Sequence, residues 1–378
     1  MEHFVSLDVG TTAIKVSLVG RTGRVTGLVR REYELDTPSS DIVELDATRY
    51  WSYAREGIRR LVSEAGIPKS EILSIAISSQ GETLVPVDRK GTPLRKAIVW
   101  LDNRSRQECK EIRDAFGLIR ETGQNEVIPT WPATRLLWLK NHETELFERT
   151  HKFLLLEDFL LFHLTGTFVG EYSLYTSSYL LDIVKREWIS EMLDLVGVRR
   201  EQLATLCEPG SVIGRILPSV AEDLSLSDST LVVAGAMDQA ASVVGAGGVT
   251  EDITVETTGT VLSVCKTLDA FDEQAHRGHP VHYHAVAGKY HTIDWCPTGG
   301  KSLGWLRELL SADGGGATDF DDLTAPAAGV EPGSEGLKFF PFLSGLGTYG
   351  PVTEAHGAFL DIEIHHTSAH FVRSVMES

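Results

Sequence analysis

The chain has 378 residues, 42% of them hydrophobic and 23% charged, with a formal net charge of −18. That length exceeds one ordinary core, so two domains are expected; the acidic balance argues against duplex nucleic acid or an anionic membrane as a partner, since both call for a basic patch. Cys109, Cys207, Cys265 and Cys296 are widely spaced with no C-x-x-C, which reads as free thiols in a reducing compartment; no signal-peptide pattern and no apolar run long enough to span a bilayer are present, so the cytoplasm is the default.

Residues 3–31 read as three strands in a row. Val5 and Leu7 alternate with polar neighbours, Ile14, Val16 and Leu18 do so again, and a third segment starts at Val25. The first break is Asp8-Val9-Gly10-Thr11-Thr12. A glycine followed by two hydroxyls and free N–H groups is the equipment of a phosphate-binding loop, and Asp8 supplies a carboxylate where a phosphate-bound Mg²⁺ would need one. A hairpin tip with turn-friendly residues is the plainer reading. Residues 252–267, DITVETTGTVLSVCKT, repeat the plan with Thr257-Thr258-Gly259-Thr260 at the turn. Two such hairpins point to two related lobes offering hydroxyl-rich turns to one ligand.

A helix is predicted over 47–65, capped by Asp46 and stopped by Gly66 and Pro68. The apolar run 72–78 is a strand, followed by Ser79-Gln80-Gly81-Glu82-Thr83. Gln80 and Glu82 stand where an open α/β sheet binds ligands, beyond a strand's carboxyl end; a solvated loop is the equal alternative. A further helix is expected to begin near Asn103. In the loop 123–132, Thr130 or Trp131 could cover a small polar ligand, and Trp131 reads equally as a packing anchor. Helices follow over 133–148 and 157–164. Residues 172–183 carry no clear pattern, while 188–196 and 200–206 look helical.

The segment 231–247, LVVAGAMDQAASVVGAG, is a strand, a small-residue turn and a helix start. Asp238 at the helix entry is either an N-cap or a carboxylate base held at a strand end. His276, His279, His282, His284 and His291 cluster without a metal-binding motif and read as an ordinary His-rich loop and strand. Gly299-Gly300-Lys301-Ser302 suggests a P-loop, but Trp295 stands where the first glycine belongs, so 302–310 reads as an amphipathic helix. A last helix opens at Thr367.

Taken together, LDVGTT, SSQGETLVPVDRKGTPLRKAIVWLDNR, GAMDQAASVVGAG and the segments PATRLLWLKNH and KFFPFLSGLG…GAFLDIEIHHTSAHFVRSVME resemble the FGGY carbohydrate kinases of the sugar kinase, Hsp70 and actin superfamily. Arg135 stands where that family usually has Lys, and Asp361 where it usually has Gly. The resemblance implies an α/β fold of two ribonuclease H-like, actin-like ATPase lobes with a cleft between them: an N-terminal lobe over 1–247 and a partial C-terminal lobe over 248–378. It implies transfer of phosphate from ATP, with Mg²⁺, to a hydroxyl of a small-molecule sugar or polyol. Asp8, Gly10, Thr11, Thr12 and Lys15 match the first phosphate loop, with Asp8 near the Mg²⁺, and Gly259 and Thr260 match the second. Asp238 matches the catalytic base. Gln80, Gly81, Glu82, Thr130 or Trp131, and Gln239, with Asp238, match substrate contacts. Q-x-E-T and Asp238-Gln239 look like the glycerol kinase branch, yet Gly81 replaces its polyol-gripping Arg, and Gly81-Glu82 replaces the Met-His pair of many xylulokinases. No nucleic-acid or membrane partner is implied, and a homodimer is allowed. Family members continue past the terminal helix into a Gly-rich adenine-binding segment, so a truncated chain with an incomplete second lobe is expected. A non-catalytic sugar-binding or interaction remnant is therefore the alternative: Asp8, Asp238 and both loops favour the enzyme, the missing segment the remnant.

Overall fold

The computed structural model describes residues 2–259, 261–271, 279–296, 298–311, 319–343 and 355–378. The chain divides into two compact units: Met1–Glu251 with Thr267–His276 and Val281–His291, and Asp252–Lys266 with Arg277–Pro280 and Thr292–Ser378.

In the first unit β1 (His3–Val9), β2 (Ala13–Gly20) and β3 (Val25–Glu32) form the meander read from the alternation. The alternating burial of β1 follows the pleat, with Val5, Leu7 and Val9 fully inside. Helix α1 (Ala47–Ala65) starts where expected: Asp46 Oδ1 accepts the Thr48 N–H at 3.0 Å, and Gly66 ends it at φ 61°. Its apolar face, including Tyr50, Ala54, Ile58 and Leu61, is buried. Burying each Leu or Ile contributes roughly 1.5–3 kcal/mol. Gly57 on that face has a structural reason, because a Cβ there would lie 2.7 Å from Val16 Cγ2.

Strand β4 (Ile72–Ser79) comes next in the chain, then helices α2 (Pro132–His142), α3 (Leu156–Thr165) and the one-turn α4 (Tyr172–Tyr175). Strands β5 (Val212–Arg215) and β6 (Leu231–Met237) and helix α5 (Asp238–Gly245) complete the frame. The sheet order is β5-β6-β4-β1-β2-β3. Strands β6, β4 and β1 are parallel to one another, while β2, β3 and β5 run antiparallel to their neighbours. Strand β6 carries a bulge at Gly235, where a Cβ would fall 1.6 Å from the Ile77 carbonyl oxygen.

Several expected boundaries move. The helix placed near Asn103 is Arg106–Phe116, because Asp102 and Asn103 are engaged in loop hydrogen bonds first. The helix read over 133–148 is two, α2 and Thr144–Arg149, broken at Glu143 (φ −128°). Helix 188–196 loses its start to a short strand, Glu187–Trp188, and 200–206 is a single 3₁₀ turn and a strand.

In the second unit β7 (Thr254–Thr258) pairs antiparallel with β8 (Leu262–Leu268), with Thr258 opposite Leu262. Helix α6 (Gly299–Ser311), strands β9 (Lys338–Phe340) and β10 (Ala358–Leu360), and α7 (Ser368–Met376) follow. Leu306, Phe339, Val372 and Val375 form their core, with Phe359 and Phe371 packed against it. Thr367 caps α7 as expected. Among the described residues no helix is long and apolar enough to cross a membrane.

Candidate active site

Val9 and Met237 both pair with Ser79, so β1, β4 and β6 end level with one another. The residues that follow, Gly10, Gln80 and Asp238, leave the sheet along one edge. That edge is where open α/β sheets bind ligands.

The first loop is turned inward by its carbonyls. Gly10 N–H bonds the Ala13 carbonyl at 3.0 Å, the Tyr33 hydroxyl donates to the Gly10 carbonyl, and Tyr33 N–H donates to the Thr12 carbonyl at 3.0 Å. Engaging the acceptor oxygens inside the protein keeps them away from an anion. The Trp100 indole N–H donates to Thr11 Oγ1 at 2.9 Å. Lys15 is not a free cation: its Nζ lies 2.9 Å from Asp8 Oδ2.

Asp238 is not the N-cap. Met237 takes that position at φ −48°, ψ 140°, and Asp238 is the first helical residue, its Oδ1 accepting the Gln239 N–H at 2.7 Å. Burial pushes its carboxyl up to about 7; the Gln239 N–H and Lys15 oppose that rise, and the negative charge of Asp8 adds to it. Those electrostatic contacts bring Asp8, Lys15 and Asp238 into one neighbourhood.

Gln80 is buried. Its N–H bonds the Val9 carbonyl at 2.9 Å and its side-chain amide donates to the Tyr50 hydroxyl at 3.3 Å, while its Oε1 is buried with no protein partner. Gly81 leaves room beside Met237, whose Sδ would sit 3.2 Å from an added Cβ. Glu82 holds a left-handed backbone, φ 59°, which costs a residue with a Cβ. Two contacts hold it there: Arg135 Nη1 donates to its carbonyl at 2.8 Å, and the Ser177 hydroxyl donates to its Oε1. Burial pushes the Glu82 carboxyl up to about 7, Ser177 lowers it and Asp238 raises it further.

Arg135 is fully buried, and its guanidinium donates to the carbonyls of Glu82, Trp100 and Asp102. Trp131 is the N-cap residue of α2, with its indole N–H bonded to the Glu126 carbonyl at 2.9 Å, and Thr130 is half-buried in the turn before it. Gln239 is half-buried beside Asp238.

In the second unit Gly259 lies in the turn between β7 and β8, and Thr260 falls outside the described residues. Gly300 N–H donates to the Gly259 carbonyl at 2.8 Å. A Cβ at Gly300 would lie 2.5 Å from that carbonyl oxygen, and one at Gly299 2.6 Å from Leu262 N. The glycine pair that failed as a P-loop thus lets α6 start directly on the turn, a role its sequence did not disclose.

Of the clustered histidines, His282 and His284 flank His291, with ring centroids 5.7 and 5.2 Å from it. Only His282 lies in the strand Val281–Tyr283. His276 falls outside the described residues. Among the described residues no group of three or more His, Cys, Asp or Glu side chains could hold a metal ion.

A model of the FGGY family of carbohydrate kinases, N-terminal domain, matches residues 3–245. A xylulose kinase of Lactococcus lactis is 30% identical over 385 residues, spanning 100% of this chain and 74% of that protein. A ligand-bound xylulose kinase structure from Lactobacillus acidophilus superposes with a TM-score of 0.88 at 26% identity, covering 100% of this chain and 76% of the other. A gluconate kinase structure from the same species gives 0.88 at 26%, over 100% and 75%.

Proposed function

The chain belongs to the FGGY family of carbohydrate kinases, a phosphotransferase with an alcohol group as acceptor, and from that premise we propose that Asp238 is the general base that readies a sugar or polyol hydroxyl for the γ-phosphate of ATP. The observation that carries the reading is the level ending of three parallel strands, which sets the Gly10 loop, Gln80 and Asp238 along one edge.

Phosphoryl transfer asks the protein for alignment and charge neutralisation more than for covalent chemistry. A sugar hydroxyl is a weak nucleophile, so a carboxylate within hydrogen-bond reach is the least that is needed. Asp238, pushed up to about 7, is a stronger base when ionised than a surface aspartate. In this reading it takes the proton of the attacking hydroxyl. Glu82 and the partnerless Oε1 of Gln80 hold the neighbouring hydroxyls. Lys15 and the N–H groups of Thr11 and Thr12 meet the phosphates, and Gly259 and Thr260 are read as a second phosphate loop.

Asp8 is a half-exposed carboxylate next to the loop, and Mg²⁺ arriving with ATP needs only one or two such oxygens beside phosphate and water. The residues fit, and Asp8 would hold the ion. When bound, Mg²⁺ neutralises charge gathering on the transferred group. The cytoplasm suits an ATP-consuming enzyme with four free cysteines.

The test is ADP release driven by a panel of ketoses and polyols, ketopentoses first, with Asp238→Asn beside the unaltered chain. The expected result is turnover on one substrate class, reduced about 10²–10⁴-fold in the variant while sugar binding persists. Near-normal turnover in the variant removes Asp238 as base. Sugar binding without any turnover favours a non-catalytic sugar-binding chain.

A further inference from the structure

Residues 171–178 have no readable periodicity, yet they form an enclosed polar stretch of the first unit. Glu171, Ser173, Thr176, Ser177 and Ser178 are all at 0% exposure. Buried hydroxyls are costly unless each is spent on a partner, and the two at 173 and 177 are spent on the candidate site.

Glu171 caps α4. Its carboxylate accepts the Ser173 N–H at 2.6 Å, the Leu174 N–H at 2.5 Å and the Ser173 hydroxyl at 2.9 Å. That last bond fixes the serine rotor with its oxygen free to accept, and Ser173 Oγ takes the Met237 N–H at 3.1 Å. Met237 is the residue immediately before Asp238. One turn further on, the Ser177 hydroxyl donates to Glu82 Oε1. An added Cβ at Gly81 would touch Met237 at 3.2 Å and Ser177 Oγ at 3.8 Å, so the three chain segments meet there. From behind, Glu157 Oε1 accepts the Gly235 N–H at 2.9 Å, holding the bulge of β6 two residues earlier.

We propose that residues 171–177 are the positioning element of this site: Ser173 sets the strand-to-helix turn that carries Asp238, and Ser177 sets the carboxyl of Glu82. This rests on the kinase reading of those two acids. Neither serine touches substrate; each acts through its partner. A base displaced by about an ångström loses on the order of 10²-fold in rate, so a single hydroxyl behind it has leverage.

The experiment compares the full chain with Ser173→Ala, Ser173→Thr and Ser177→Ala. Two readouts are taken: kcat and KM for the sugar the unaltered chain turns over, and hydrogen–deuterium exchange of the peptide spanning residues 231–245. Ser173→Ala is expected to speed exchange around residue 237 and to lower kcat about 10–100-fold with KM within about threefold. Ser173→Thr keeps the hydroxyl and is expected to restore both. Ser177→Ala is expected to give the opposite split, a KM raised several-fold with kcat less changed. Exchange and kcat like those of the unaltered chain in Ser173→Ala would overturn the proposal, as would an equal defect in Ser173→Thr. If Ser173→Ala fails to fold, Ser173→Cys, similar in volume and a weak acceptor, takes its place with the same expectations. If the unaltered chain turns over no sugar, the kinase reading falls, and the exchange arm still decides whether Ser173 holds the turn.

Discussion

Asp8 and Lys15 face each other across the first hairpin, register partners whose side chains form an ion pair at 2.9 Å. Lys15 also lowers the proton affinity of Asp238, while Asp8 raises it. An exposed pair of this kind contributes only about 0–1 kcal/mol to stability. Lys15→Met should therefore leave the melting temperature almost unchanged. It removes the charge that opposes the rise of Asp238 and leaves that of Asp8 unbalanced. Because the proposed base acts ionised, kcat/KM should rise with pH through about 7 in the unaltered chain. In Lys15→Met that rise should move to higher pH, which a profile from pH 5 to pH 9 measures.

Gly10 and Gly259 have no internal reason to be glycine. Neither adopts a left-handed backbone, and an added Cβ would stand 3.4 Å from the nearest atom at Gly10 and 3.9 Å at Gly259. A ligand approaching the backbone closely supplies the missing reason. Gly10→Val and Gly259→Val should each fold normally and weaken Mg-ATP binding by about tenfold or more, near 1.4 kcal/mol, as read by titration calorimetry. Unaltered affinity in either variant would separate that loop from the nucleotide.

Arg135 gives its guanidinium to three backbone carbonyls. A lysine ammonium cannot reach all three with the same planar fork. Arg135→Lys should cost about 1–3 kcal/mol through the carbonyls left unpaired. It should also raise KM for the sugar, because the strained Glu82 backbone loses its hold. Denaturant unfolding and steady-state kinetics on one preparation test both.

Stability should fall as pH rises from about 4 to 8. Burial pushes Asp158 up to about 7, and it raises Glu157 and Glu171, each further raised by like charges. Their protonated forms bind in the folded state and ionise near 4 in the unfolded one, so the stability they contribute is complete below about pH 4 and is lost through their folded-state values. His291 works in the other sense. Burial holds it neutral well below its ordinary value, so its contribution is lost as pH falls below about 6.5. Calorimetry should show the melting temperature falling between about pH 5 and pH 8, the three carboxyls outweighing His291 below about pH 6.5, and Asp158→Asn should flatten that fall.

The sheet edge was legible because its signals are local. Period-2 alternation marked β1 and β2, an apolar run marked β4, and the Asp46 cap and Gly66 stop framed α1 to the residue. Asp238 stayed ambiguous because an N-cap and a first helical residue differ by one set of dihedrals, and only Met237 at ψ 140° separates them. Residues 172–178 were opaque for another reason: their hydroxyls are paired with partners such as Glu82 and Met237, 95 and 64 positions away. Such pairing leaves no period in the sequence. The Gly299-Gly300 pair fails as a phosphate motif because of Trp295, yet its sequence did not show that its glycines answer a packing demand at Leu262 and Gly259.

The common register of Val9, Ser79 and Met237 has one more consequence. Neighbouring strands lie about 4.8 Å apart. The residue that would receive a proton and the loop that would receive a phosphate are separated by two such steps, roughly 10 Å. That interval is set by the peptide hydrogen bond and not by any side chain. The site therefore carries a fixed ruler: substitutions at 81 and 82 can change which carbohydrate is held, while the spacing between the backbone that carries Asp238 and the backbone of the first loop is inherited from the sheet.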